Sequence, residues 1–260
     1  MTAPAQLIIG TAQFGIAYGA TNTVGRLSDE TVGAILRASA DADVRVIDTA
    51  RGYGDAESRL ASWLPRIGGS WRVITKLTVD DVDPARLVSE MRATRARLAC
   101  DRLDVLLHRP ADLAGARGAD LLASLRAARD AGVIGQFGVS VYATDELARC
   151  LEAAPDLGLV QYPGSIVDRR MLDDPWVHEL AANGVEMHVR SVLLQGLLMA
   201  DPEALRERSV DLAHAVSTID DLAARAGVSR LACLIGFVRA RPAISGVVVG
   251  ATSHDEWLEI

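Results

Sequence analysis

The sequence predicts an α/β fold, a (β/α)8 barrel of the TIM type, on three observations. Short apolar runs alternate with longer stretches of helical periodicity along the chain, the pattern of βα units around a parallel sheet. Eight such runs fall within 260 residues, the number and span a closed barrel needs. No linker or low-complexity tract divides them, so residues 1–260 read as a single barrel domain. The rival is an open doubly wound sheet, which usually carries a GxGxxG turn after its first strand; here "GTAQFG" runs into a further loop.

The strands are expected at "LIIGTA" (7–12), "VRVID" (44–48), "WRVITK" (71–76), "RLDVLLH" (102–108), "IGQFGVS" (134–140), "LGLVQY" (157–162), "VEMHVRS" (185–191) and "ISGVVVG" (244–250). Between them, "SDETVGAILRASADA" (28–42) reads as a helix capped by Ser28, with Asp29 and Glu30 in its first turn. "DPARLVSEMRATRARLA" (83–99) starts with Asp83 as cap and Pro84 at the first helical position. "DLLASLRAARDAG" (120–132) places Leu121, Leu122, Leu125 and Ala128 on one face and stops at Gly132. The eighth helix is shortened, because the sequence stops at Ile260.

Half of the residues are hydrophobic but only 4% are aromatic, so the core must be built from Ala, Leu, Val and Ile. A formal net charge of −7 and the lack of any basic block argue against nucleic-acid and membrane partners and leave small-molecule chemistry. Cys100, Cys150 and Cys233 are odd in number and form no CxxC pair, so they read as buried small hydrophobes in a reduced compartment. The start "MTAPAQLIIG" lacks a basic leader, and no run approaches the ~18 apolar residues of a spanning helix; a cytoplasmic protein is expected.

Of 27 basic residues, 26 are arginines and one is a lysine, Lys76. Arginine serves wherever a fixed positive charge suffices, whereas a lysine amine is compact and its pKa moves with burial. Lysine retained at the end of "WRVITK" therefore marks a site that needs a tunable ammonium. Asp48 ends the second strand and His108 the fourth, and Tyr53 lies in the glycine-containing turn after Asp48, "RGYG". Four ionisable side chains thus converge on one quadrant of a barrel mouth. A phenol ordinarily titrates near ~10, and an adjacent ammonium favours the phenolate. Lys76 is expected to supply that field, Asp48 to hold Lys76 by a salt bridge, and His108 to orient a substrate oxygen.

"DTARGYG" (48–54), "TK" (75–76), "LLHRP" (106–110), "GVS" (138–140) and "VVVGATS" (247–253) resemble the aldo/keto reductase family, and the likeness runs from "GTAQFG" to the last residue. "GVSVYATDEL", "VQYPGSIVDRR" and "RSVLLQGLL" resemble a branch associated with carbohydrate or secondary-metabolite gene clusters. The resemblance implies NADP or NAD bound without a Rossmann fold, a carbonyl substrate, Tyr53 as general acid and base, Lys76 and Asp48 tuning it, and His108 at the substrate oxygen. It further implies cofactor contacts from Gly10, Thr11, Ala12 and Asp48. Ser140 and Gln161 would hold the carboxamide, with Arg190 at the nicotinamide. Ser191, Leu193 and Gly196 would follow the pyrophosphate, and Gly250, Ala251, Thr252 and Glu259 the adenosine end.

Some positions depart from the family pattern. Val141 and Ser165 stand where many members have asparagine, and Arg190 where many stack an aromatic ring. "ATSHDEWLEI" offers no cation for a 2′-phosphate, and Glu256 lies near the usual basic position; Arg206, Arg208 and Arg225 are the available compensators. His178 and His188 lack metal-ligand spacing and read as packing or surface residues. "VDRRML" (167–172) reads as a solvated loop or an anion clamp, and Phe14, Tyr18 and Tyr142 as pocket-lining residues in mouth loops. Three functions follow: an NAD(P)-dependent carbonyl reductase, a nucleotide-binding sensor or partner subunit with little turnover, and an epimerase or dehydratase using the Tyr53–Lys76 pair. Oligomeric state is not indicated.

Overall fold

The computed structural model describes residues 4–260; residues 1–3, the start of the segment read as lacking a leader, lie outside it. The eight strands are β1 (Gln6–Gly10), β2 (Val46–Asp48), β3 (Arg72–Leu77), β4 (Arg102–Leu107), β5 (Phe137–Ser140), β6 (Leu159–Pro163), β7 (Glu186–Arg190) and β8 (Gly246–Val249). Each pairs in parallel with its neighbours in sequence, and β8 returns to β1 through Gln6↔Gly246 to Ile9↔Val249, closing the barrel. Every expected run contributes a strand. Among the described residues, no helix is long and apolar enough to cross a membrane.

The helices follow their caps. Ser28 accepts from the Thr31 backbone N–H ahead of the helix Asp29–Asp41. Asp83 accepts from Ala85 N–H, but its first turn is a 3-10 turn, Pro84–Arg86, before the α-helix Leu87–Leu98. The helix expected from 120 begins at Gly115, because Gly118, which looks like a breaker, lies within it. A Cβ at Gly118 would stand 2.5 Å from the Leu113 backbone, so glycine there permits close packing rather than ending the helix. Two further helices, Val210–Ala226 and Arg230–Arg239, are capped by Ser209 and Ser229, and the last, His254–Glu259, is short as expected.

Period two along the strands sorts the barrel interior into three storeys. The middle one is apolar: Ile8, Ile74, Leu106 and Leu159 are fully buried, with Val46 and Val248 against them, separate from the larger core between sheet and helices. Two residues earlier stand Arg72, Asp104 and Glu186, where Arg72 pairs with both carboxylates at 2.7 Å. Two residues later the same strands deliver Gly10, Asp48, Lys76, His108, Gln161 and Gly250 to the mouth. Arg190 follows the buried His188 on β7 by the same step. The alternation that packs the centre therefore fixes which side chains face the opening.

Candidate active site

Asp48, the last residue of β2, is the hub of the mouth. Its backbone carbonyl accepts from Thr11 N–H at 3.1 Å and from the Thr11 hydroxyl at 3.0 Å, which fastens the loop after β1 to β2. Its carboxylate is buried and both oxygens are engaged. Lys76 Nζ donates to Oδ1 at 2.5 Å, and Gln161 Nε2 donates to Oδ2 at 2.7 Å. Lys76, 2% exposed, also reaches the Thr49 carbonyl at 3.4 Å. Burial pulls the Lys76 ammonium down from its ordinary range, and the Asp48 charge opposes that fall. The expected salt bridge is present.

Tyr53 sits in the turn after β2, shaped by two glycines. Gly54 has φ +56°, and a Cβ at Gly15 would overlap the Tyr53 carbonyl, so the turn is seated directly on the backbone of the first loop. The Lys76 amine lies 5.3 Å from the centre of the Tyr53 ring, and the phenolic oxygen makes no hydrogen bond with protein among the described residues. The expected lowering of the phenol's pKa is corrected: it is raised, first by burial and next by the Asp48 carboxylate, with Arg190 acting weakly the other way. Lys76 is already matched by Asp48, so little of its field is left for the phenol.

His108 follows β4 directly, its N–H bonded to the Leu77 carbonyl at 2.9 Å. Its imidazole is pushed below the usual range by partial burial and then by the Lys76 and Arg190 charges, so it is neutral at pH 7. Arg190, ending β7, lies with its guanidinium 4.3 Å from the centre of the Tyr142 ring, and its Nη2 is buried without a partner. Gln161 Oε1 is likewise buried and unpartnered. Ser140, ending β5, is buried beside Gln161, its neighbour in the β5–β6 register.

A cleft at the mouth is lined by Asp48 and Tyr53 and also by Thr252 and Glu256. Gly10, Thr11, Ala12, Arg190, Ser191, Leu193, Gly196 and Gly250 line it. Ser140, Gln161, Lys76 and Ala251 lie beneath its surface, buried. Glu259 is exposed on the last turn and does not line it; Glu256, one helical turn earlier, does. The stretch after β7 is wound tightly, with Ser191 (φ 62°), Leu194 (49°), Gln195 (56°) and Gly196 (92°) all left-handed. It abuts the first loop: Ala20 N–H donates to the Gln195 carbonyl at 2.9 Å, and a Cβ at Gly196 would overlap the Thr21 hydroxyl.

Other expectations sort as follows. Tyr18 lines the cleft, Tyr142 is exposed against Arg190, and Phe14 is corrected to the core at 1% exposure, under the first helical turn. Arg169 and Arg170 pair with Asp173 and Asp168 at 3.1 and 2.8 Å, so that loop is solvated and internally neutralised rather than a clamp. His178 bonds the Leu172 carbonyl at 2.7 Å. No cluster of three metal-ligating side chains occurs among the described residues. Cys100 and Cys150 are buried, and burial pushes each thiol up to about 11; Cys233 is half-buried. Gln13, Thr21, Asn22, Gln195 and Met199 also line the cleft. Of these, Gln195 falls within the segment 191–196 that the resemblance puts along the pyrophosphate; sequence reasoning missed the other four, since their only signal is membership of the loops after β1 and β7.

A parallel barrel that collects a phenol, a buried ammonium–carboxylate pair and a neutral imidazole at the C-terminal ends of its strands belongs to the enzymatic class of such barrels. The chain belongs to the aldo/keto reductase family: the sequence profile described as "Aldo/keto reductase family" matches residues 6–260. Its activity is accordingly an oxidoreductase activity of the aldo/keto reductase type. It is similar to a D-threo-aldose 1-dehydrogenase from a Pseudomonas species, 30% identical over 243 residues that cover 76% of this chain and 71% of that one. Among solved structures, a glycerol dehydrogenase from Gluconobacter oxydans superposes with TM-score 0.74 at 19% identity, over 99% of this chain and 86% of that one. A thermostable aldo-keto reductase solved with the inhibitor epalrestat gives 0.71 at 20%, over 97% and 87%. At such identities the structural likeness speaks to the fold.

Proposed function

We propose that this protein interconverts a carbonyl compound and its alcohol using NAD(H) or NADP(H) held in the cleft, with Tyr53 giving and taking the proton. One observation carries the reading: the Tyr53 phenol and the buried Lys76–Asp48 pair stand together beside a cleft that also takes in the tightly wound stretch after β7 and the loop after β8. The residues suit such a ligand. Gln161 Oε1 and Arg190 Nη2 are a buried acceptor and donor without partners at the nicotinamide end, where an amide would satisfy them. The left-handed backbone of Ser191 and residues 194–196 turns the chain as anion-binding loops do.

Reduced nicotinamide, when bound, supplies the hydride. Tyr53, kept protonated by burial and by Asp48, donates its phenolic proton to the oxygen that becomes the alcohol. As that proton leaves, negative charge develops on a phenol whose ring centre lies 5.3 Å from the Lys76 amine, and exclusion of water by bound substrate and cofactor would strengthen the ammonium's attraction for it. Asp48 holds Lys76 in place, and Gln161 holds Asp48. His108, uncharged, offers an N–H to orient the substrate oxygen without competing as an acid. A sugar-like hydroxy-carbonyl is the favoured substrate class, in line with the aldose relative and a mouth rich in hydroxyl, amide and guanidinium groups.

Tyr53→Phe is expected to lower turnover on a panel of aldoses, ketoses and simple aldehydes by about 10²–10⁴-fold while cofactor fluorescence still responds to binding. Full activity in that variant would remove Tyr53 from the role. Binding without turnover on any carbonyl by the unaltered protein would favour the sensor reading instead.

A further inference from the structure

We infer that Arg51 is a positioning residue for Tyr53, holding the turn that carries the phenol to the helix Leu87–Leu98; this rests on the reading of Tyr53 as the proton donor. The turn has little stiffness of its own. Gly52 has open space where a side chain would be and Gly54 is left-handed, so both neighbours of Tyr53 restrict the backbone weakly. Contacts on the flanks must fix the phenol instead. Two residues before Tyr53, the Arg51 guanidinium donates from Nη1 to the Asp81 carbonyl at 2.7 Å and from Nη2 to Glu90 Oε2 at 3.2 Å. The Arg51 backbone N–H donates to the Lys76 carbonyl at 3.0 Å. One residue thereby joins β3 at Lys76, the loop after β3 and the helix beyond that loop. In the stretch from Thr49 to Gly52 no other side chain holds the chain in place among the described residues: the Thr49 hydroxyl is buried without a partner, and Ala50 and Gly52 carry no polar group.

The far flank is held by the same helix. Four residues after Tyr53, Glu57 accepts from the buried Thr75 hydroxyl at 2.5 Å and from Arg97 at 3.2 Å. Glu90 and Arg97 stand two turns apart and so share one face of the helix Leu87–Leu98. That face offers an acid to Arg51 and a base to Glu57, and the four charges line one groove together with Gly54. Arg51 and Glu90 keep 22% and 28% of their side chains exposed, and ion pairs so placed add little to stability. Placement of a reacting group is more demanding, since a displacement of about 1 Å can cost about 10²-fold in rate. The signature of Arg51 is therefore a loss of turnover out of proportion to any loss of stability.

Arg51→Met, Glu90→Gln and the double variant are to be compared with the unaltered protein and with Tyr53→Phe, by kcat on the carbonyl panel, by Kd for NADH and NADPH from dihydronicotinamide fluorescence, and by urea midpoint. Arg51→Met is expected to lower kcat about 10- to 100-fold while the nucleotide Kd moves by less than about twofold and the midpoint barely shifts. Glu90→Gln spares the bond to the Asp81 carbonyl and should cost about three- to tenfold; the double variant should be no slower than Arg51→Met, because Glu90 acts through Arg51. Arg51→Lys, which can reach one acceptor rather than two, should recover part of the loss. Arg126→Met, which breaks a comparably exposed pair with Asp156 on the helix leading into β5, should keep full kcat. Full kcat in Arg51→Met, with Tyr53→Phe inactive, overturns the inference and leaves the Tyr53 reading intact. A fall in kcat matched by an equal loss of nucleotide affinity or of stability overturns it too, by marking general damage. Glu90→Gln exchanges side chains of equal size on a helix surface, so unchanged kcat there overturns the inference even if Arg51→Met folds poorly. Full kcat in Tyr53→Phe, or no turnover by the unaltered protein, overturns the Tyr53 reading and the inference with it.

Discussion

The two ends of the barrel handle buried charge in opposite ways. At the floor, Arg72 spans Asp104 and Glu186 at 2.7 Å each, and Arg102 adds a contact to Asp104 at 3.0 Å. Burial alone would raise Glu186, yet the neighbouring His188 ring and Arg72 hold it low, at about 2. At the mouth, one lysine meets one carboxylate, and Gln161 and Arg190 keep buried polar atoms unpartnered. The guanidinium fork closes the floor by satisfying two acids at once, whereas the mouth keeps a point charge with a movable pKa and leaves hydrogen-bonding capacity unspent. Stability resides at one end and reactivity at the other.

Substitutions at the two ends can separate these roles. Lys76→Met is expected to reduce turnover by about 10³-fold, comparable to losing a general acid–base partner, and also to destabilise the fold by stranding Asp48. Steady-state kinetics and urea denaturation on the same preparation would show both losses; an active, stable variant would erase the contrast. Arg72→Met is expected to lower stability by about 3–5 kcal/mol, because Asp104 is left buried without its main partner, while turnover per folded molecule is unchanged. A comparable loss of kcat in folded protein would show that the floor reaches the chemistry.

The smallest effect is one of pH. A carboxyl whose folded pKa is depressed contributes stability that is complete above its unfolded value and is lost as pH falls through the folded one. The stability gap between the unaltered protein and Glu186→Gln should therefore be full above about pH 5 and narrow from there toward pH 2. Denaturation midpoints at pH 6, 4 and 3 would trace it, and a gap that widens on acidification would contradict the paired floor.

How far the sequence anticipated this structure depends on whether local pattern or tertiary contact decided each element. All eight strands were legible because period-two alternation and flanking turn residues are local. Asp48, Lys76 and His108 were placed at the mouth by the same periodicity. The first turn after Asp83 and the early start at Gly115 escaped, since a 3-10 turn and a glycine used for packing leave no distinct pattern. Phe14 shows the same limit: a mouth loop was identified, but not that its aromatic ring turns inward. The sign of the Tyr53 shift escaped because it depends on how completely Asp48 neutralises Lys76, which is a matter of ångströms. Thr21 entered the cleft only because two loops distant in sequence abut.

Gly15 bears no functional group, ends a four-residue helical turn a screening library would treat as permissive, and yet has no room for even a methyl against the carbonyl of Tyr53. Any side chain there must displace the backbone that carries the phenol, so an alanine at this position would imitate an active-site lesion without removing a single reactive atom. Directed evolution aimed at new substrates would meet a wall at this residue long before it exhausted the permissible changes around the opening.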